Sequence, residues 1–384
     1  MKPIVLIFSG LLTMGGWAAP LVSLNAPMAT FDSLNNKIYT FKYINGNDLF
    51  VDVYDVLNKT VKSALILPNE VRYIDYKRLN EPLSYGDTWF QDLILTDQDS
   101  KRILLGRTIY SLDSRISQYI YKFPTQALPI KKFISLSKPY LLQGAGCDLW
   151  LFDVEKLEIT RKLQICNSNV LFGGSLDLTY GDADAIFYDN GRRMFVASIS
   201  FYRIFSLKET NTVKINFDPK NVIYESTTEE KDRMDMGCCG RFYGGSLSIS
   251  PAEDLIAGGA YRGEPEDNGR GPVGWVRDAR SGRVKYTLIG QSIAIYQTEF
   301  SKDGRFLATR GDSEISNNCS SRSDKPPKDR YGDGTIALRS PRNGKIIRIY
   351  KNACTGPFFS SDSRYLYYSD YLNRVHMIDL KNPL

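Results

Sequence analysis

Gly274-Trp275-Val276-Arg277-Asp278 is a short apolar strand that stops at a small polar residue, and the polar turn Arg280-Ser281-Gly282 follows. The arrangement recurs at Val51-Asp52-Val53-Tyr54-Asp55, Leu93-Ile94-Leu95-Thr96-Asp97, Leu149-Trp150-Leu151-Phe152-Asp153, Tyr202-Arg203-Ile204-Phe205-Ser206, Ile336-Ala337-Leu338-Arg339-Ser340 and His376-Met377-Ile378-Asp379. A second signature opens the units. Its clearest copies are Phe300-Ser301-Lys302-Asp303-Gly304-Arg305-Phe306-Leu307-Ala308 and Phe359-Ser360-Ser361-Asp362-Ser363-Arg364-Tyr365-Leu366. Weaker copies start at Ile134, Phe187 and Ile249. In each, an apolar strand meets a polar Asp-Gly or Asp-Ser turn and a second strand resumes, which is a hairpin pattern.

A hairpin, a third strand ending in Asp or Ser, then a turn and a fourth strand make one unit. Units of four short strands at a period of roughly 40 residues or more are the sequence mark of a β-propeller. The expected fold is all-β, a seven-bladed β-propeller of four-stranded antiparallel blades. These motifs resemble the WD-repeat and YVTN-type β-propeller superfamily over most of the chain. The resemblance implies a fold and says little about function, because propellers host many unrelated activities. Two departures stand out. The Trp-Asp dipeptide is absent from the strand ends, and the second unit, Val71 to Arg107, lacks a clear opening signature.

The first unit reads as complete, with strands at Ala29–Leu34, Lys37–Ile44, Leu49–Val56 and Val61–Leu67. The last has only three, at Thr355–Ser360, Arg364–Ser369 and Arg374–Leu380. An unpaired edge there is a liability. Pro20-Leu21-Val22-Ser23-Leu24 is a short strand with nothing else to pair. It is expected to complete the last blade and so close the ring.

Residues 1–18 read as a secretory signal: Lys2, an apolar run from Ile4 to Met14, then small residues at Gly16 and Ala18. The run is shorter than the ~20 residues that span a bilayer, and no later stretch is long and apolar enough for a membrane helix. Residues 19–384 are therefore expected to form one exported domain, periplasmic or secreted. The formal charge of +6 is scattered among acids, so a nucleic-acid stripe is not expected. The single histidine, His376, leaves zinc chemistry and a Ser-His-Asp triad poorly supplied, and it reads as structural. Asn58-Lys59-Thr60 and Asn318-Cys319-Ser320 are glycosylation sequons, relevant only in a eukaryotic host.

The long connections predict where function lies. Gly263–Gly271 and Ser313–Asp333 interrupt second and third strands, while Asn167–Asp182 and Asp218–Arg241 join successive units. All four fall on one face in a four-stranded blade, and loops of this length are often functional. Arg241, Phe242, Tyr243, Tyr261, Arg262, Arg270 and Tyr331 are the expected contacts there, because Arg and Tyr are enriched at hot spots. The expected role is capture of a protein or another macromolecule. An enzyme or enzyme subunit of quinone-dependent dehydrogenase type is an alternative that the propeller resemblance allows.

The six cysteines of an exported chain suggest disulfides. The simplest pairing is Cys147–Cys166, Cys319–Cys354 and Cys238–Cys239, but six cysteines allow 15 pairings. The adjacent pair either forms a strained ring beside Gly237 and Gly240 or pairs elsewhere. With Met234 and Met236, Cys238 and Cys239 also make a set able to hold a soft cation such as copper. Asp182 with Asp184, or Asp329 with Asp333, offers oxygens for Ca²⁺, although aspartates are also ordinary turn formers. Arg310-Gly311-Asp312 matches an adhesion tripeptide at near-chance specificity, and Glu264, Glu266 and Asp267 form an acidic lip.

Overall fold

The computed structural model describes residues 22–67, 94–164, 183–226, 247–259, 273–312 and 334–381, with short interruptions between strands. In chain order, β1 (Val22–Ser23) comes first. Sheet one is β2 (Met28–Asp32), β3 (Lys37–Ile44), β4 (Asp48–Asp55) and β5 (Thr60–Leu67). Sheet two is β6 (Ile94–Thr96), β7 (Arg102–Leu105), β8 (Thr108–Ser111) and β9 (Tyr119–Lys122). Sheet three starts with β10 (Ile130–Ser135), β11 (Pro139–Ala145), β12 (Asp148–Asp153) and β13 (Glu158–Gln164). Sheet four contains β14 (Ala183–Tyr188), β15 (Arg193–Ser198) and β16 (Tyr202–Ser206). The chain then returns to sheet three as β17 (Lys214–Ile215), parallel to β13, before β18 (Val222–Glu225) finishes sheet four.

Sheet five is β19 (Ser248–Ile249), β20 (Leu255–Gly259), β21 (Gly274–Asp278) and β22 (Val284–Leu288). Sheet six is β23 (Ala294–Phe300), β24 (Leu307–Asp312), β25 (Thr335–Arg339) and β26 (Ile346–Lys351). Sheet seven is β27 (Ala353–Phe359), β28 (Tyr365–Asp370) and β29 (Arg374–Asp379), with β1 as its fourth strand. The fold is all-β, and within each sheet the consecutive neighbours are antiparallel. The N-terminal strand pairs antiparallel with β29, Val22 opposite Val375. No helix among the described residues is long and apolar enough to cross a membrane.

The opening signature has a local cause. Ser301 Oγ accepts from Phe306 N at 2.9 Å and donates to Asp303 at 2.7 Å, while Gly304 takes a left-handed φ of +70°. Ser360 repeats the pattern with Tyr365 N at 2.9 Å and Asp362 at 2.6 Å, and Ser363 is left-handed. Ser250 does so with Leu255 N at 3.0 Å and Asp254 at 2.6 Å, and Glu253 is left-handed. A serine that holds the turn and a position tolerating positive φ are what the Ser-x-Asp-Gly spelling supplies.

The second unit departs from expectation. Leu93–Asp97 is not a third strand: it holds β6, which opens sheet two, and the third strand is β8. First and third strands run in the same direction in such a sheet. Both therefore end at tight turns, and both can end in Asp.

The strands read as apolar runs because both faces are buried. Ile256 and Trp275 pack with Phe195, Ile186 and Ile204 of sheet four. Their neighbours Ala257 and Val276 pack with Ile295, Phe300 and Leu307 of sheet six. Comparable clusters join sheet three to four through Leu149, Leu151 and Phe187, and six to seven through Leu338, Phe359 and Leu366. Ile38 and Tyr54 of sheet one pack with Tyr367 and Val375 of sheet seven. First strands β2, β6 and β10 lie side by side in sheets one, two and three. Between sheets five and six the backbones nearly touch: a Cβ on Gly259 would overlap the Ile295 carbonyl. Gly259→Ala is expected to lower the unfolding free energy by about 2–3 kcal/mol. A denaturation midpoint equal to the parent's would show that β20 and β23 separate easily.

Candidate functional site

The two ends of the sheets differ. At one end the strands turn tightly, at 250–254, 279–283, 301–306, 340–345 and 360–364. These turns are joined from sheet to sheet. Asp189 N donates to Glu253 Oε2 at 2.7 Å and Tyr188 Oη to the Ala279 carbonyl at 2.8 Å. Asp303 N donates to Ser363 Oγ at 3.0 Å, and Tyr286 Oη donates to the Pro341 carbonyl. The turn ends of sheets four to seven are thus neighbours.

The opposite end carries the long connections. Gly259 pairs with Gly274, and residues 260–273 run between them. Gly311 pairs with Thr335 at the base of 313–334. The chain from β18 to β19 and from β13 to β14 also starts and finishes at that end. The expected contacts Arg241, Phe242, Tyr243, Tyr261, Arg262, Arg270 and Tyr331 belong to these segments and lie outside the described residues, as do Met234, Met236, Glu264, Glu266 and Asp267. Cys147, Cys166, Cys238, Cys239 and Cys319 also lie outside them, and Cys354 stands in β27.

Other candidates have definite places. Asp184 is buried, with Oδ1 accepting from Ala185 N at 2.7 Å and Oδ2 from Leu247 N at 3.1 Å. Its two oxygens tie sheet four to the start of sheet five; Asp182, Asp329 and Asp333 lie outside the described residues. Among the described residues no three metal-ligand side chains converge. Arg310 is buried within β24, so Arg310-Gly311-Asp312 belongs to a strand rather than to a displayed loop tip. His376 is half-buried in β29, its ring stacked on Tyr368 with centroids 4.7 Å apart.

The structure adds polar residues that sequence reasoning missed. Arg339 is fully buried and donates to Thr309 Oγ1 at 3.0 Å, Gln291 Oε1 at 3.0 Å and the Gly344 carbonyl at 2.9 Å. Gln291 Nε2 in turn donates to the Thr309 and Thr335 carbonyls at 3.1 and 3.2 Å. The network runs from the base of the 313–334 connection to the tight turn at Gly344. Burial lowers the Arg339 pKa to about 10, with Tyr286 working the other way, so the group stays cationic at neutral pH. Arg277 holds the equivalent place in sheet five, donating to the Gly282 carbonyl at 2.7 Å and lying 4.4 Å from the Tyr202 ring centroid. Their signal was visible: arginine in an otherwise apolar third strand.

Glu299 is the least ordinary carboxyl among the described groups. It stands on β23 and accepts from Phe359 N of β27 at 3.3 Å. The residue keeps some exposure, but its carboxyl is enclosed between two sheets. That burial pushes its pKa up to about 7, against the opposing effects of Lys302 and the Phe359 N–H. Gln297, also on β23, donates to the Pro357 carbonyl at 3.4 Å. No protein-family profile matches the chain, and no curated protein matches it significantly.

The pH consequence has a definite sign. Below the ordinary value of 4.5 both folded and unfolded chains hold the Glu299 proton. Between 4.5 and about 7 only the folded chain holds it, so stability falls as pH rises. Above that the loss is complete, on the order of 1–3 kcal/mol. Glu299→Gln keeps an acceptor for Phe359 N and is expected to flatten this slope and to be more stable than the parent at pH ~8. Denaturant melts of both proteins across this range check it; superimposable profiles would show a solvated carboxylate.

Proposed function

We propose that the chain is an exported seven-bladed β-propeller that captures a protein or another macromolecule on the end bearing its long connections, over blades four to six. The ring reading is supported by the order of packing. Sheets one to seven meet their sequence neighbours, and sheet seven meets sheet one through Tyr367, Val375, Ile38 and Tyr54. The β1–β29 pair then joins the chain's two ends in one blade. Closure of this kind gives the last blade its fourth strand and replaces the edge of β29 with the two-residue edge of β1, in keeping with propellers, which leave only short edges. In this reading the likeness to WD-repeat and YVTN-type propellers is one of architecture.

The observation that carries the functional reading is the asymmetry of the two ends. Over sheets five to seven one end is stitched by short hydrogen-bonded turns, while 207–221 of sheet four leaves that end to lay β17 along sheet three. The other end sends out 260–273, 313–334 and the two inter-sheet connections. A rigid base with elaborated loops is the usual form of a recognition surface. Arg241, Phe242, Tyr243, Tyr261, Arg262, Arg270 and Tyr331 supply its contacts. The Asp148–Gln164 pair brings the strand ends flanking Cys147 and Cys166 together, which favours a disulfide there.

Two experiments test this. Removing residues 20–24 should lower the melting temperature and promote self-association by uncovering β29; an unchanged, monomeric variant would sink ring closure by β1. Gentle purification without reductant, cross-linking and native mass should reveal a stoichiometric macromolecule. Tyr261→Ala/Arg262→Ala/Arg270→Ala should weaken its retention about tenfold or more with the melt unchanged. Retention by the variant, or extra mass matching copper or an organic prosthetic group, would overturn the reading.

A further inference from the structure

The large apolar side chains exposed among the described residues are Ile159, Ile223, Ile289, Ile347 and Ile349. Each stands on, or just past, the last strand of a sheet's main run. Two of them share one strand, β26. In β26 exposed Ile347, Ile349 and Lys351 alternate with half-buried Ile346 and Arg348 and buried Tyr350. β26 is the terminal strand of its sheet, so no described strand pairs with its outer edge. Such an edge presents backbone donors and acceptors to any extended segment.

The chain itself shows how such an edge is used. In sheet three β17 lies along β13, Lys214 opposite Lys162 and Ile215 opposite Leu163. A two-residue strand from a distant connection covers that edge; sheet six has no counterpart among its described residues.

Charge identifies the occupant. From Pro341 to Lys351 the chain carries Arg342, Lys345, Arg348 and Lys351 and no acid. The adjoining turn of sheet five, held beside it by Tyr286 Oη on the Pro341 carbonyl, adds exposed Arg280, Arg283 and Lys285. Its one carboxylate, Asp278, is engaged by the backbone N–H groups of Ser281 and Arg280. A second copy of this chain would set basic edge against basic edge. An acidic segment would not.

We propose that the outer edge of β26 takes up an extended, acidic segment of a partner protein as a further strand of sheet six. Backbone pairing supplies the hold, apolar side chains of the segment cover Ile347 and Ile349, and its carboxylates project from the other face in the field of Arg348, with Lys345 and Lys351 adding positive charge at the two ends of the strand. The edge is separate from the end bearing the long connections, so this docking and the capture proposed above succeed or fail independently.

The probe is a fluorescent nonapeptide of alternating glutamate and valine, read by anisotropy against the full-length protein. Saturable binding at or below about millimolar concentration is expected. The exposed-site variant Ile347→Lys/Ile349→Lys should weaken it about tenfold, although it adds positive charge. Lys345→Glu/Lys351→Glu should weaken it too, and an N-methylated peptide should not bind. Absence of saturable binding would overturn the proposal. So would unchanged or tighter binding by Ile347→Lys/Ile349→Lys, or equal binding of polyglutamate or phosphatidylglycerol vesicles, which would mark the edge as a polyanion surface.

Discussion

The first strand of each sheet has a ladder partner on one side only, so its other row of N–H and C=O groups must find partners elsewhere. The rest of the fold depends on how this is met. Asp184 of sheet four accepts from Leu247 N at the start of sheet five. Glu299 of sheet six accepts from Phe359 N of sheet seven, and Gln297 donates to the Pro357 carbonyl there. Side chains of one first strand thus serve the backbone of the next. Each buried N–H left unmet would cost about 1–3 kcal/mol. The two carboxyls differ in surroundings. Asp184 receives two N–H groups, while Glu299 receives one from Phe359 in an enclosed seam that disfavours its charge.

Stitching of this kind requires sheets to meet face to face, and the core follows from that. Trp275 rests against Phe195 and Tyr202 on one side, while its neighbour Val276 belongs to the next cluster. The Trp275 ring leaves room only for glycine at Gly258, and the Ile295 backbone only for glycine at Gly259. Arg277 and Arg339 pass through the same layer, their charge met by neutral oxygens and aromatic rings. With packing and turns holding one end, the other can vary in length without disturbing the sheets.

Strand and turn positions were largely legible in the sequence, because the signatures are local. Serine oxygen to backbone N–H, left-handed residue and strand restart all fall within six residues of Ser301 and Ser360. The same locality caused the misreading of Leu93–Asp97, since an apolar strand ending in Asp spells a first strand as well as a third. The end carrying the long connections was legible from segment lengths. Gln291 and Glu299 were not: nothing near either residue states that it will be enclosed. The tripeptide at Arg310 was a near-chance match in sequence, and its first side chain is buried.

By itself, then, the sequence determined what depends on neighbours along the chain: which runs extend, where they turn, and that the unit recurs. Counting strands also placed the N-terminal strand beside β29. Tertiary structure alone decided that β17 covers the edge of β13. It also decided which acid loses its charge near neutral pH and which arginines are buried. Those outcomes depend on desolvation and on partners tens to hundreds of residues away, and no local pattern encodes the dielectric that a distant strand will impose.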